Sequence, residues 1–275
     1  KAKYATEMKY FDLEILPLAG KNEHNDTDMV LADEGIRFDA SIEAAATALI
    51  ENAKQAGTTT SSDQSAQTSA LDLQHIPFVT IDSAATRDMD DALAIESLGT
   101  GWKLSVAIAA PSVDISFNSQ LDKAAKKRAQ TTYFADKPLT MLPEGLSIER
   151  YSLKENEERQ SLVFQCHVDE DGGISNTTFI PATIKSHGKL SYMHVAAFLQ
   201  GDEYKTNPTL SDPANFSESL NQLQACTQAL HQHRQTHHIV LDNRADFAVY
   251  VDAKGKLDKI EKTERNCAHR IVEEA

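Results

Sequence analysis

Between Thr80 and Glu96 the chain reads TIDSAATRDMDDALAIE, which puts Asp82, Asp88, Asp90 and Asp91 within ten positions and sets apolar runs against them on both sides. A carboxylate is costly to remove from water unless something pairs with it, and no lysine is interleaved among the four. Any fold of this chain must therefore leave the stretch as a solvated acidic turn or bring a counter-charge to it. Carboxylates at this density suit a hard divalent cation, which takes oxygen ligands. An EF-hand is excluded: a loop starting at Asp88 has Ala92 and Leu93 where the fifth and sixth positions need an oxygen ligand and glycine. On a regular strand Asp88 and Asp90 share a face while Asp91 points away, so convergence of all four requires irregular backbone. Asp82 ends one apolar run and Asp91 begins the next, which would hold that loop between two anchored strands. Such a cage suits phosphoryl chemistry, in which one or two metal ions generate the attacking nucleophile and stabilise the leaving oxygen.

The 275 residues suffice for one large domain or two smaller ones. With 41% hydrophobic and 25% charged residues the composition is that of a soluble globular protein. A formal net charge of -14 argues against non-specific attraction to nucleic acid by the chain as a whole, although it leaves room for a locally basic groove. Cys166, Cys226 and Cys267 are odd in number and far apart, which fits neither a disulfide framework nor a zinc knuckle and points to a reducing, cytoplasmic setting. No run approaches the 18 or so apolar residues of a membrane span, and the first residues lack a secretory leader pattern. No membrane partner is expected.

Residues 1–75 read as an acidic segment with a linker. It starts with a strand-like piece at Tyr10–Leu18 and continues into an amphipathic helix with Ile42, Ala45, Leu49 and Ala53 at helical spacing behind the cap Asp39. The small polar stretch from Gln55 to Ala70 has almost nothing to bury. The main domain is expected over 76–275. PFVTID and ALAIESL read as strands, and WKLSVAIAAPSVDI as a buried strand stopped by Pro111. LDKAAKKRAQTTYF reads as a helix with a basic outer face. SLVFQCHVDEDGGISNTTFI reads as a hairpin around Asp171-Gly172-Gly173. Helices are expected at Ser191–Leu199, at about Phe216–Gln235 with Leu220, Leu223 and Leu230 on one face, and over Glu264–Ala275. That last apolar pattern is still running at Ala275, which suggests that the natural chain continues.

The stretch FVTIDSAATRDMDDAL closely resembles the signature of the ribonuclease II family of exoribonucleases, in the part called the RNB domain. Further blocks follow in the family's order: SVAIAAPS, LDKAAKKRAQTTYF, MLPEGLSIERYSLKENEERQSLVF, ATIKSHGKLSY and RNCAHRIVEEA. The resemblance covers about Ile76 to Ala275. It implies an enzyme that hydrolyses single-stranded RNA from the 3′ end to nucleoside 5′-monophosphates, with Mg2+ or Mn2+ as cofactor. It also implies an incomplete RNB-type α+β fold, a mixed and largely antiparallel sheet flanked by helices, with the acidic loop at the inner end of a narrow channel. The family's four catalytic aspartates fall on Asp82, Asp88, Asp90 and Asp91. Asp82 and Asp91 are assigned as direct metal ligands, Asp88 and Asp90 as holders of a second metal or its water, and Asp90 as the most damaging single substitution. Tyr133 sits where similar enzymes stack a tyrosine on the 3′-terminal base, and base stacking is tolerant of sequence. Glu273 matches a glutamate used near the terminal sugar, whose 2′-OH tells RNA from DNA. Glu274 beside it is expected to be a solvated helix acid.

The sequence departs from the family at several points. Leu241 stands where some members carry a second aromatic that completes the sandwich, and Ala110 where members commonly have an acidic residue. A later arginine-bearing segment and an S1 domain are missing, and the cold-shock barrels too, unless residues 1–75 hold a remnant of one. Accessory barrels carry much of the basic surface that phosphate binding needs, so the chain as given is expected to bind RNA poorly and to have little or no nuclease activity alone. A monomer is favoured. His233 and His237 have zinc-compatible helical spacing, but without further ligands a solvated helix end is the preferred reading. Two competing functions are a DxD nucleotide-sugar transferase using Asp88-Met89-Asp90, and a catalytically silent RNA-binding homologue.

Overall fold

The computed structural model describes residues 38–56, 70–133, 138–237, 246–252, 257–263 and 265–275. The strand read at Tyr10–Leu18, stretch 57–69 of the small polar segment and Leu241 lie outside them.

The apolar runs become a six-stranded sheet in the order β1-β8-β2-β3-β4-β7. Its strands are β1 (Leu71–Asp72), β2 (Phe78–Asp82), β3 (Asp91–Ser97), β4 (Trp102–Ala109), β7 (Glu158–Val168) and β8 (Ile174–Ser191), with the short pair β5 (Thr132–Tyr133) and β6 (Pro138–Leu139) set apart. β2–β3, β3–β4, β4–β7 and β7–β8 are antiparallel, whereas β1 and β2 run parallel to β8. The long β8 pairs with β7 over its first two thirds and with β2 over its last residues, so the pairings run in a circuit β2–β3–β4–β7–β8 and back to β2. This is the mixed, largely antiparallel sheet of an α+β protein.

Alternation along the strands feeds two cores. One side of β2 and β3 sends Val79, Ile81 and Leu93 to meet Leu104, Cys166, Leu190 and the inner faces of three helices, α3 (Tyr192–Gln200), α4 (Ser217–His237) and α5 (Cys267–Glu274). Leu220, Leu223 and Leu230 of α4 are all buried there, on the face their spacing defines. The other side sends Phe78, Ala92, Ala94, Ala107, Val163 and Ile184 into a second cluster. A third core unites α1 (Ala40–Ala56) with α2 (Gln120–Arg128) and a π-helical turn at Leu146–Tyr151, through Ala46, Leu121, Leu142 and Leu146. Asp39 caps α1, accepting from the amides of Ser41 (2.9 Å) and Ile42 (3.0 Å). The β7–β8 turn docks on α4: Gly172 has φ +80, and a Cβ there would lie 2.2 Å from the Ala229 carbonyl oxygen. The last two strands, β9 (Asp246–Val251) and β10 (Leu257–Thr263), form a separate antiparallel pair.

One element differs from the sequence reading. The helix expected through LDKAAKKRAQTTYF stops at Arg128, because Ala129 turns left-handed (φ 64) and the β-branched Thr132 joins Tyr133 in pairing with Pro138–Leu139. Tyr133 is thereby lifted off a helix face and onto an exposed ribbon, 75% exposed.

Leu190 has no accessible surface, whereas Leu162 on the outer face of β7 is 44% exposed. Leu190→Ala is expected to cost about 2–5 kcal/mol in urea unfolding and Leu162→Ala less than about 0.5 kcal/mol. Equal losses would contradict the described layering.

Candidate active site

The four aspartates occupy the junction between the end of β2 and the start of β3. Asp82 is the last residue of β2 and Asp91 the first of β3, and the segment between them has no regular strand or helix. The β2–β3 register pairs Val79 with Leu93, three residues before Asp82 and two after Asp91. Met89 lies in the same core cluster as Ala92 and Ala94. Residues 89 and 92 would point to opposite sides of a regular strand, so the alternation is broken between them. This is the irregularity that four convergent carboxylates require.

The loop is pinned by its backbone. Ser152, fully buried at the end of the π-helical turn, donates from Oγ to the Arg87 carbonyl (2.8 Å) and accepts from the Met89 amide (3.0 Å). The Leu153 amide donates to the Met89 carbonyl (2.8 Å), and the Ala109 amide to the Asp90 carbonyl (2.9 Å). Nearer the loop's start, Lys189 on β8 donates from Nζ to the Thr86 carbonyl (2.8 Å). With Met89 inserted in the core, the loop cannot swing its charges freely into solvent.

The electrostatics follow from this crowding. Burial, then the charges of Asp91, Asp90 and Asp88, raise the Asp82 carboxyl from 3.8 to about 7, against the opposing charge of Lys189. Asp82 is thus the common neighbour of the other three. Asp90, the most open of the four, is raised by partial burial and by Asp88 and Asp91, and Asp91 is raised by burial. The Asp82 Oδ2 atom is buried without a hydrogen-bond partner, as is Thr80 Oγ1 two residues earlier. Among the described residues no group of three or more His, Cys, Asp or Glu side chains is gathered closely enough to hold a metal ion as it stands. The carboxylates are neighbours through charge, and an ion would have to draw them the last part of the way together.

Tyr133 faces the same cluster: partial burial, then the charges of Asp88, Asp90 and Asp82, raise its phenol. Glu273, on α5, is half-exposed and paired with Arg265 (2.7 Å). Glu274 is the opposite of the solvated acid expected. Its side chain is 6% exposed and paired with His231 (2.8 Å) and with Arg234. The physical reason is helical phase: position 274 lies three residues beyond the buried Ile271 and faces α4, while position 273 is turned away. His233 and His237 stack on one another at the end of α4 (4.2 Å between ring centroids). A cleft between α4 and α5 is lined by Gln224, His231, Arg265 and Arg270 and by none of the four aspartates.

Two residues that sequence reading missed join the cluster. Lys189 is one. Tyr192, the first residue of α3, is the other: burial, then Asp82, Asp91 and Glu273, push its phenol up to about 12. It follows Ser191, which pairs with Asp82 across the parallel β2–β8 ladder. Its ring stacks on His269 of α5 (4.0 Å), and its carbonyl accepts from the Asn266 side chain (3.2 Å). Glu273 is thereby tied to the carboxylate end of β2. Neither residue stands out in sequence, because each acquires its setting only when β8 pairs with β2.

Residues 70–275 match the RNB domain, and the chain belongs to that family. The chain is similar to Exoribonuclease 2 of Psychromonas ingrahamii, at 38% identity over 76% of this chain and 32% of the relative. It is also similar to Exoribonuclease 2 of Aeromonas hydrophila, at 39% identity over 74% of this chain and 30% of the relative. Among solved structures, Mycoplasma genitalium RNase R in complex with ribose methylated single-stranded RNA superposes with a TM-score of 0.76 at 25% identity, covering 90% of this chain and 37% of that one. The chain therefore spans about a third of the length of the curated relatives it matches.

Asp82 sets a pH dependence. Its folded value, about 7, lies above its ordinary 3.8, so between those limits the folded chain keeps a proton that the unfolded chain has lost. The contribution of Asp82 to stability is full below about pH 4 and is lost as pH rises towards about 7. Asp82→Asn is expected to flatten this slope and to stabilise the metal-free chain by about 1–3 kcal/mol at pH 8, read by urea unfolding. An unchanged slope would show that Asp82 is not the strained group.

Proposed function

We propose that the protein carrying this chain is a metal-dependent 3′-to-5′ exoribonuclease that hydrolyses single-stranded RNA to nucleoside 5′-monophosphates. The observation that carries this reading is the setting of Asp82, Asp88, Asp90 and Asp91 at one strand junction, where burial and the charges of the other three raise Asp82 and its Oδ2 is buried without a partner. Membership of the RNB family, and likeness to proteins named Exoribonuclease 2, support the reaction class. RNase R neighbours hold single-stranded RNA in one structure and double-stranded RNA in another, which supports RNA as the substrate.

The donor set fits Mg2+ or Mn2+. It is all oxygen, it carries more negative charge than it can neutralise internally, and hard cations prefer such sites. Asp82 and Asp91 would be direct ligands, with Asp88 and Asp90 holding a second ion or its water. When bound, the cation polarises the phosphodiester and lowers the pKa of neighbouring water. Tyr133, exposed at the mouth of the cluster, would stack on the 3′-terminal base whatever its identity. Glu273, steadied by Arg265, would accept from the terminal ribose hydroxyls, and Tyr192 would close the same side.

The transferase reading uses only Asp88 and Asp90, and family membership speaks for a nuclease instead. The silent-homologue reading is disfavoured by Asp82, Asp90 and Asp91 standing where burial resists their charge. Among the described residues no helix is long and apolar enough to cross a membrane, and the cytoplasm is the compartment we assign. The chain by itself should bind RNA weakly, given its net charge of -14.

The test uses the intact protein and a 5′-labelled single-stranded RNA. Shortening from the 3′ end with release of nucleoside monophosphates is expected, and Asp90→Asn should slow it by on the order of a thousandfold or more with little change in RNA binding. Internal cuts, or an Asp90→Asn protein as fast as its parent, would refute the reading.

A further inference from the structure

The acidic loop has two backbone anchors of different character. Its later half is held by neutral groups: Ser152 takes Arg87 and Met89, and Leu153 and Ala109 take the carbonyls of Met89 and Asp90. Its earlier half turns at Ser83–Thr86, where the Thr86 amide donates to the Ser83 carbonyl (3.0 Å), and the side chain reaching that turn is Lys189. A turn of this kind closed by one amide is easily opened, so a further bond to Thr86 decides where the chain runs between Asp82 and Asp88.

Lys189 is well placed to supply it. Its own backbone is fixed three ways: paired with Thr80 in the parallel β2–β8 ladder, its amide donating to Ser211 Oγ (3.2 Å), and its carbonyl accepting from the Ser211 amide (2.8 Å). Paired residues of a parallel ladder project to one face, so Lys189 shares a face with Thr80, and its neighbour two along, Ser191, with Asp82. The ammonium is thus a charge hung from a paired strand near Asp82, whose Oδ2 is buried without a hydrogen-bond partner. A charge-assisted bond to a carbonyl is stronger than a neutral one, and groups one step behind a ligand set how well it binds.

We propose that Lys189 is a positioning residue for the carboxylate site: its Nζ ties Thr86 to β8 and so sets where Asp88 and Asp90 stand relative to Asp82. This rests on the reading of the four aspartates as metal ligands. It assigns Lys189 no contact with substrate.

The test compares the 275-residue chain with Lys189→Met, which keeps the aliphatic stem, and with Lys189→Arg, which keeps charge and donor. Two quantities are read: Mn2+ affinity by electron paramagnetic resonance titration, and hydrogen exchange of the loop amides from residue 84 to 90. Lys189→Met should weaken Mn2+ binding about ten- to a hundredfold and speed exchange in the loop while leaving β4 and β7 protected. Lys189→Arg should recover part of both. Unchanged affinity and loop exchange in Lys189→Met would overturn the proposal, as would faster exchange spread evenly over the sheet, which marks a merely structural lysine. A parent chain that binds no Mn2+ would sink the metal reading, and the exchange comparison would still decide the tether. Should Lys189→Met not fold, Lys189→Gln is read in the same way.

Discussion

Four like charges at the junction of two core strands form the constraint around which this structure is arranged. Burial, and then the charges of Asp91, Asp90 and Asp88, make Asp82 costly to ionise, so it holds its proton up to about 7. A surface loop would relieve the repulsion by spreading. This one is prevented: Met89 is sunk in the core, Ser152 and Leu153 hold the backbone behind it, and β4 takes the Asp90 carbonyl. The strain is held in a well-packed frame, which is the arrangement expected where a site gives up stability to bind a cation.

The strand that makes the arrangement possible is β8. It is long enough to serve β7 on one stretch and β2 on the next, and it runs parallel to β2. The parallel ladder brings Lys189, Ser191 and Tyr192 alongside Thr80 and Asp82, although more than a hundred residues separate them in the chain. From Tyr192 a stacked ring and an amide hydrogen bond carry the connection to the start of α5, and so to Glu273. One strand thus couples the carboxylate end of the sheet to the helix that carries Glu273.

Much of this could be read from sequence because the signals were local. The strands around Asp82 and Asp91, the Asp39 cap, the Asp171-Gly172-Gly173 turn and the apolar face of α4 each depend on spacing within a few residues. What escaped depended on pairing. Lys189 looks like any lysine in a strand until β2 is laid beside it. Tyr192 looks like an ordinary helix-start residue. Glu273 and Glu274 are adjacent and chemically alike, and helical phase against α4 decides that the second is buried with His231 and Arg234 while the first is left facing Arg265. The premature end of α2 came from Ala129 adopting a left-handed cap, a conformation that alanine composition does not advertise.

The central claim is that the aspartates accept one another because a divalent cation belongs among them. The most direct measurement is an anomalous difference map from crystals soaked in Mn2+. A peak is expected within ligand distance of Asp82 Oδ2, with Asp91 and the loop carboxylates drawn towards it. A map with no peak, and carboxylates turned apart towards solvent at full Mn2+ occupancy elsewhere in the crystal, would contradict it.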